Sequence, residues 1–167
     1  MKILKYLFFL LLIVVIAGAI YFATKNGEYS IEQSTVIHAP KEIIFNKVNE
    51  YKTWEDWGPW KEEDPTMVFH YPEKTSGGGA GYSWNGKDED GAMQTTKVVP
   101  YSHIEQEITF NTPLGERKSV VSWEFEDVDG GTKVIWGIQG EHPLLDKAYF
   151  AISGYNFDKD IREMFQK

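Results

Sequence analysis

Residues 6–23, YLFFLLLIVVIAGAIYFA, form an unbroken apolar run of 18 residues behind Lys2 and Lys5. Hydrocarbon is crossed by roughly 20 apolar residues rising about 1.5 Å each, so the run is just long enough to span a bilayer. Two other readings stand beside an anchor: a cleaved signal peptide and a buried helix of a soluble core. A signal peptide has an apolar stretch of about 7–15 residues and a small-x-small cleavage site. Ala17-Gly18-Ala19 fits that pattern loosely, but Ile20, Tyr21 and Phe22 are bulky where a cleavage region wants small residues. Tyr6, Tyr21 and Phe22 suit interfacial rings at the ends of a span. The anchor is the favoured reading. Lys2 and Lys5 precede it, whereas Lys25 alone, soon followed by Glu28, comes after. The positive-inside rule then makes a single-pass protein of the cell membrane, with residues 1–5 cytoplasmic and the bulk of the chain extracytoplasmic, periplasmic if Gram-negative. Residues 24–28 read as a linker and residues 29–167 as one domain.

Charge narrows the partners of that domain. The first 25 residues hold three of the 17 basic residues and none of the 25 acidic ones, leaving a formal charge of −11 on the remainder. Such a surface is repelled by nucleic acid and by anionic headgroups, so neither is expected as a partner. About 140 residues suffice for one sizeable core and not for two. There is no cysteine, hence no disulfide, thiol nucleophile or thiolate metal site. Aromatic residues make up 15% of the chain and recur along strand-like segments, which favours a β-rich core or an aromatic-lined cavity.

Patterning gives the order of elements. Tyr29–His38 alternates as a strand, with Ile31, Thr35 and Ile37 on one face. Pro40 suits a first helical turn, and Ile43, Ile44, Val48 and Tyr51 recur at helical spacing over Lys41–Tyr51. Trp54, Trp57 and Trp60 follow around Gly58-Pro59, read as a short helical turn and a loop. Six further strands are expected over Met67–Tyr71, Gly81–Asn85, Ala92–Val99, His103–Phe110, Lys118–Glu126 and Lys133–Gly140. Turn residues separate them: Ser76–Gly79, Lys87–Gly91, Pro100-Tyr101, Pro113–Gly115 and Asp129–Gly131. Ile104, Ile108 and Phe110 share a face, as do Val121, Trp123 and Phe125, and Val134, Trp136 and Ile138. Their alternates, among them Glu105, Glu107, Ser122, Glu124 and Gln139, are mostly polar. One face of an antiparallel sheet is covered and the other wet. Pro143 opens a last helical segment, Leu144–Lys167, carrying Leu145, Tyr149, Ile152, Phe157, Ile161, Met164 and Phe165, with Gly154 as the expected break.

This is an α+β order, and it resembles the helix-grip fold of the START-like superfamily, also called SRPBCC or the polyketide cyclase/dehydrase and lipid-transport family. The matching pieces are Val36-Ile37-His38-Ala39-Pro40, Glu42–Phe45, the Trp54-x-x-Trp57-x-x-Trp60 cluster with Asp64–Met67, Gly79-x-Gly81-Tyr82-Ser83-Trp84, and Gly131–Val134 with Trp136. The likeness covers about residues 29–167 and is greatest to membrane-anchored bacterial members. The resemblance implies a curved antiparallel sheet of about seven strands gripping a long C-terminal helix, here preceded by one transmembrane helix. It also implies a cavity between sheet and helix for a hydrophobic or lipid-like small molecule. The superfamily includes cyclase- or dehydratase-like enzymes and chaperone co-factor-like protein-interaction modules as well, so fold alone does not select the function.

Trp84, Phe110, Trp123, Phe125, Trp136, Tyr149 and Phe150 are the candidate lining of that cavity, an apolar site being the default small-molecule site; the alternative is that these rings simply fill the core. Trp54, Trp57 and Trp60 fit a lid or a membrane contact, but a hook clamping the short helix onto the sheet is favoured. His38, His70, His103 and His142 lack metal-ligand spacing, and His103, Glu105 and Glu107 face water, where pKa tuning is poor. Asp88–Gly91 reads as a charged hairpin and Arg117 and Arg162 as solvated charges. No catalytic residue, metal or cofactor is assigned, and catalysis is left open.

Overall fold

The computed structural model describes residues 2–87, 90–112 and 115–164. The expected turn residues Asp88, Glu89, Pro113 and Leu114, and Phe165–Lys167 of the last helix, lie outside them. The chain runs α1 (Lys2–Ala23), β1 (Glu28–Ile37), α2 (Lys41–Asn49), a 3-10 turn (Tyr51–Thr53), α3 (Trp54–Trp57) and α4 (Trp60–Glu63). Then come β2 (Val68–His70), β3 (Gly81–Asn85), β4 (Asp90–Val99), β5 (His103–Thr112), β6 (Gly115–Val128), β7 (Gly131–Glu141), α5 (Leu144–Ser153) and α6 (Phe157–Met164). α1 is long and apolar enough to cross a membrane, and none of its residues is buried against the rest of the protein.

The strands form a seven-stranded sheet in the order β1-β7-β6-β5-β4-β3-β2, every neighbouring pair antiparallel. β2 to β7 are a meander, each strand pairing with the next. β1 instead pairs with β7, at the opposite edge from β2. The segment joining β1 to β2 must therefore cross the whole sheet, and it carries α2, α3 and α4 with it. Strict alternation in β7 buries Thr132, Val134, Trp136 and Ile138 and leaves their neighbours partly or fully solvated. β5 does the same with Ile104, Gln106 and Ile108. The inner face thus meets the crossover, which buries Ile44, Phe45, Val48, Tyr51 and Trp54 against it.

The break expected at Gly154 is observed, but the sheet's cover is shared between the crossover and the C-terminal helices, which the sequence pattern does not anticipate. The last helical segment is cut at Gly154, which takes the left-handed conformation (φ 72°) and donates its N–H to Phe150 O at 3.0 Å, closing α5. Neither α5 nor α6 contributes a buried residue; α6 touches β1, and only Phe157 and Ile161 of the pair pack on the core. On β1, Ile31 is buried, while Thr35 and Ile37, expected on the same covered face, are exposed. α6 meets β1 at Tyr29, whose ring lies 4.8 Å from that of Phe157, and at Gln33, whose Nε2 donates to Arg162 O at 3.0 Å.

Close packing on the inner face depends on one missing side chain. Gly91 lies opposite Trp84 in the β3–β4 register, and a Cβ there would stand 2.2 Å from Trp84 Cζ2 and 2.7 Å from the Thr109 carbonyl oxygen. Gly91→Ala should lower stability by about 1–3 kcal/mol through overpacking. Gly78→Ala, whose Cβ would meet nothing within 4 Å, should be close to neutral. Near-UV circular dichroism melts of the detergent-solubilised chain compare the two.

Candidate functional site

Five of the seven candidate cavity residues come together on the inner face. Trp84 and Phe110 meet edge to face with centroids 5.7 Å apart, and Trp123 and Trp136, opposite each other in the β6–β7 register, at 6.5 Å. Phe125 packs under α2 against Phe45 at 5.4 Å. Tyr149 and Phe150 are elsewhere, on α5. Tyr149 is 54% exposed, while Phe150 joins a ring cluster with His142, Tyr155 and Phe157.

The crossover reaches into the same space. Trp54 and Trp57 lie 6.0 and 6.2 Å from Trp123, and Tyr51 lies 4.9 Å from Tyr82. Trp54 Nε1 donates to Val48 O at 2.9 Å, so this ring is the hook of the tryptophan cluster. Trp57 is 41% exposed at the rim. Two open clefts, of about 390 Å³ beside His38–Glu42 and about 550 Å³ beside His70–Pro72 and β3, are lined by none of the seven candidates.

A chain of hydrogen bonds runs through the apolar interior. Trp123 Nε1 donates to Gln106 Oε1 at 2.9 Å, and Gln106 Nε2 donates to the Tyr51 hydroxyl at 3.0 Å. The Tyr51 hydroxyl is 2.8 Å from Thr95 Oγ1. Either hydroxyl of the Tyr51–Thr95 pair can donate to the other. Burial pushes the Tyr51 phenol up to about 12, so it remains protonated, a hydrogen-bond donor and not a base. Sequence reasoning missed this chain, although a signal was there: Gln106 falls between Ile104 and Ile108 in the inward register, a polar residue at a core position. Among the described residues, the buried polar side chains are Thr75, Thr95, Gln106, Ser119 and Thr132, with no carboxylate, lysine or histidine. This interior is equipped to hold an apolar body and to offer it hydroxyl or amide hydrogen bonds. Among the described residues no acid–base pair is buried there.

The remaining candidates are tied into the framework. Arg117 forms a two-point ion pair with Asp146, Nη2 to Oδ1 at 2.8 Å and Nε to Oδ2, joining β6 to α5. Arg162 faces Asp158 at 3.9 Å and donates to Glu32 O at 3.3 Å. His103 lies 3.9 Å from Glu124 on the outer face. His38 Nδ1 and His70 Nε2 bond to Gly130 O and Asn85 Oδ1 at 3.0 and 2.9 Å. No three or more His, Asp or Glu side chains gather as a metal site among the described residues. His142 stacks on Tyr29 at 4.4 Å and meets Phe157 and Phe150 edge-on at 4.8 and 4.9 Å. Burial among these rings holds its imidazole below the ordinary value, against the pull of Asp146 and Asp158 and together with the push of Arg117 and Lys147.

Two outcomes follow from these contacts. Tyr51→Phe strands the Gln106 amide and the Thr95 hydroxyl and should cost about 1–3 kcal/mol, with Tyr51→Phe/Gln106→Leu costing less than the sum of the single changes. Thermal unfolding of the four proteins reads this cycle. Because His142 resists protonation when folded, the unfolded chain takes up that proton first. Stability should therefore fall as pH drops below about 6.5 towards the lower folded pKa. His142→Gln should flatten that dependence in melts between neutral and mildly acidic pH.

The fold has solved relatives. CV1439 from Chromobacterium violaceum superposes with a TM-score of 0.60 at 14% identity, over 82% of this chain and 89% of that one. Mll3558 from Rhizobium loti gives 0.57 at 15%, over 83% and 93%. The Aha1 dimer from Colwellia psychrerythraea gives 0.52 at 16%, over 83% and 91%. No curated protein matches the sequence significantly. The model of the family described as polyketide cyclase / dehydrase and lipid transport matches residues 28–159, from the first residue of β1 into α6. With that match spanning the whole sheet and its helical crossover, the chain belongs to the polyketide cyclase/dehydrase and lipid transport family.

Proposed function

We propose that this protein is a membrane-tethered carrier or receptor that takes one hydrophobic or lipid-like molecule between the sheet and its C-terminal helices. The observation that carries this reading is the aromatic inner face. Trp84, Phe110, Trp123, Phe125 and Trp136 line it, and α5 and α6 lie over its rim without a buried residue of their own. A weakly packed cover is the part of a fold that opens at low cost. Of the two α5 candidates, Phe150, packed on His142 and Phe157, then forms the helical side of the opening, while Tyr149 faces outward. Residues 6–23 act as an uncleaved anchor, with residues 1–5 cytoplasmic, residues 24–28 as linker and residues 29–167 outside. The family's description and the apolar α1 both support a lipid-like ligand.

The filled interior favours a second reading, a protein-interaction module, because Tyr51 and Trp54 occupy space that a permanent cavity would need. Native mass spectrometry of the full chain, released from mild detergent, separates the two. Carriage should give a one-to-one adduct of lipid, fatty acid or quinone mass, together with displacement of a bound hydrophobic dye by fatty acids or quinones. No adduct and no displacement would overturn it in favour of the second reading.

A further inference from the structure

α5 bears an apolar stripe that the domain does not use. Leu145, Tyr149 and Ile152, at i, i+4 and i+7, share one face and are 54%, 54% and 83% exposed. The neighbouring face, about 100° round the helix, is the one fastened inward. Asp146, its one acid, is bound to Arg117, and Phe150 sits in the His142 ring cluster. The stripe is therefore turned out of those contacts and left exposed. Left in water, three large side chains along one helix face are an uncompensated hydrophobic cost.

The position of α5 identifies what covers them. α5 packs against α1, and Lys147 Nζ donates to Lys25 O at 2.8 Å, two residues beyond the end of α1 at Ala23. The His142 N–H likewise bonds Gly27 O at 2.8 Å. Two residues correspond to only about 3–7 Å of chain, less than the thickness of one headgroup region. If α1 spans the bilayer, α5 is held at the depth of its interface. The chemistry of the stripe suits that depth: two aliphatic side chains, the amphipathic ring of Tyr149, and the Tyr155 ring 6.4 Å from it. Lys25 and Lys147 share this edge with Glu28 and Glu141, which face each other in the β1–β7 register, so cations and acids are mixed here and the apolar stripe, not net charge, is what suits the interface.

We propose that α5 is a second membrane element, lying in the lipid interface beside α1 with Leu145, Tyr149 and Ile152 turned into the acyl boundary. This rests on the anchor reading above, and it places the flexible cover of the inner face within the lipid surface. The absence of cysteine makes single labels straightforward. The full chain is reconstituted in phosphatidylcholine vesicles, with and without doxyl-labelled phosphatidylcholine. An environment-sensitive fluorophore is placed at Ile152→Cys, at Val14→Cys within α1, or at Lys97→Cys on the far side of the sheet. The labels at positions 152 and 14 should be blue-shifted and lose about half their fluorescence to doxyl lipid, as buried interfacial and core positions do, while that at position 97 is unaffected. Quenching at 14 without quenching at 152 overturns the proposal and leaves the anchor standing. A blue-shifted but unquenched label at 152 whose shift grows with protein density overturns it in favour of a second copy. Quenching at neither 14 nor 152 overturns both readings.

Discussion

The placement of Gln106 at an inward position of β5 is the constraint on which the inner face depends. Its carboxamide has to be satisfied on both ends in a region without water, and it is, by Trp123 from the neighbouring strand and Tyr51 from the crossover. A buried amide left unpaired costs far more than a paired one contributes. The crossover is therefore held in one register on the sheet, with Tyr51 over β4–β5 and Trp54 against Trp123. Apolar packing alone tolerates sliding; a chain of directional bonds does not.

With the crossover fixed at the centre, the C-terminal helices are left with the rim. They are attached by discrete contacts instead of a continuous core: the Arg117–Asp146 pair, the stack around His142, and the bond between Gln33 and Arg162 O. Each is local and partly solvated, the pattern of contacts found where local stability is lowest. Tyr29, whose hydroxyl lies 2.5 Å from Ser119 Oγ, is the contact common to β1, β6 and α6. The fold is thus fixed at the crossover and held by fewer, discrete contacts at the end beside the apolar helix α1.

Much of this was legible residue by residue. Ile104/Glu105/Ile108 and Val134/Trp136/Ile138 announce strands with one wet face, since side chains alternate every residue and water selects between them. Gly154 announces the break between α5 and α6, because only glycine adopts a left-handed cap without steric cost. Tyr51 was readable as an inward residue but not as part of a 3-10 turn, nor as the partner of Gln106, 55 residues further on. Tyr149 and Phe150 recur at helical spacing just as core residues do. The spacing cannot say that one faces out and the other packs on His142.

The sequence by itself determined the apolar N-terminal helix, the single antiparallel sheet and which residues of β5 to β7 face inward, because run length, alternation and turn chemistry are local properties of the chain. Only the tertiary structure decided what occupies the inner face and where α5 directs its stripe. Those outcomes depend on which distant groups complete each other's hydrogen bonds and charges: Tyr51 with Gln106, Asp146 with Arg117, Lys147 with the Lys25 carbonyl. A periodic pattern fixes a face. The partner that the face meets is fixed by long-range satisfaction of buried polar groups.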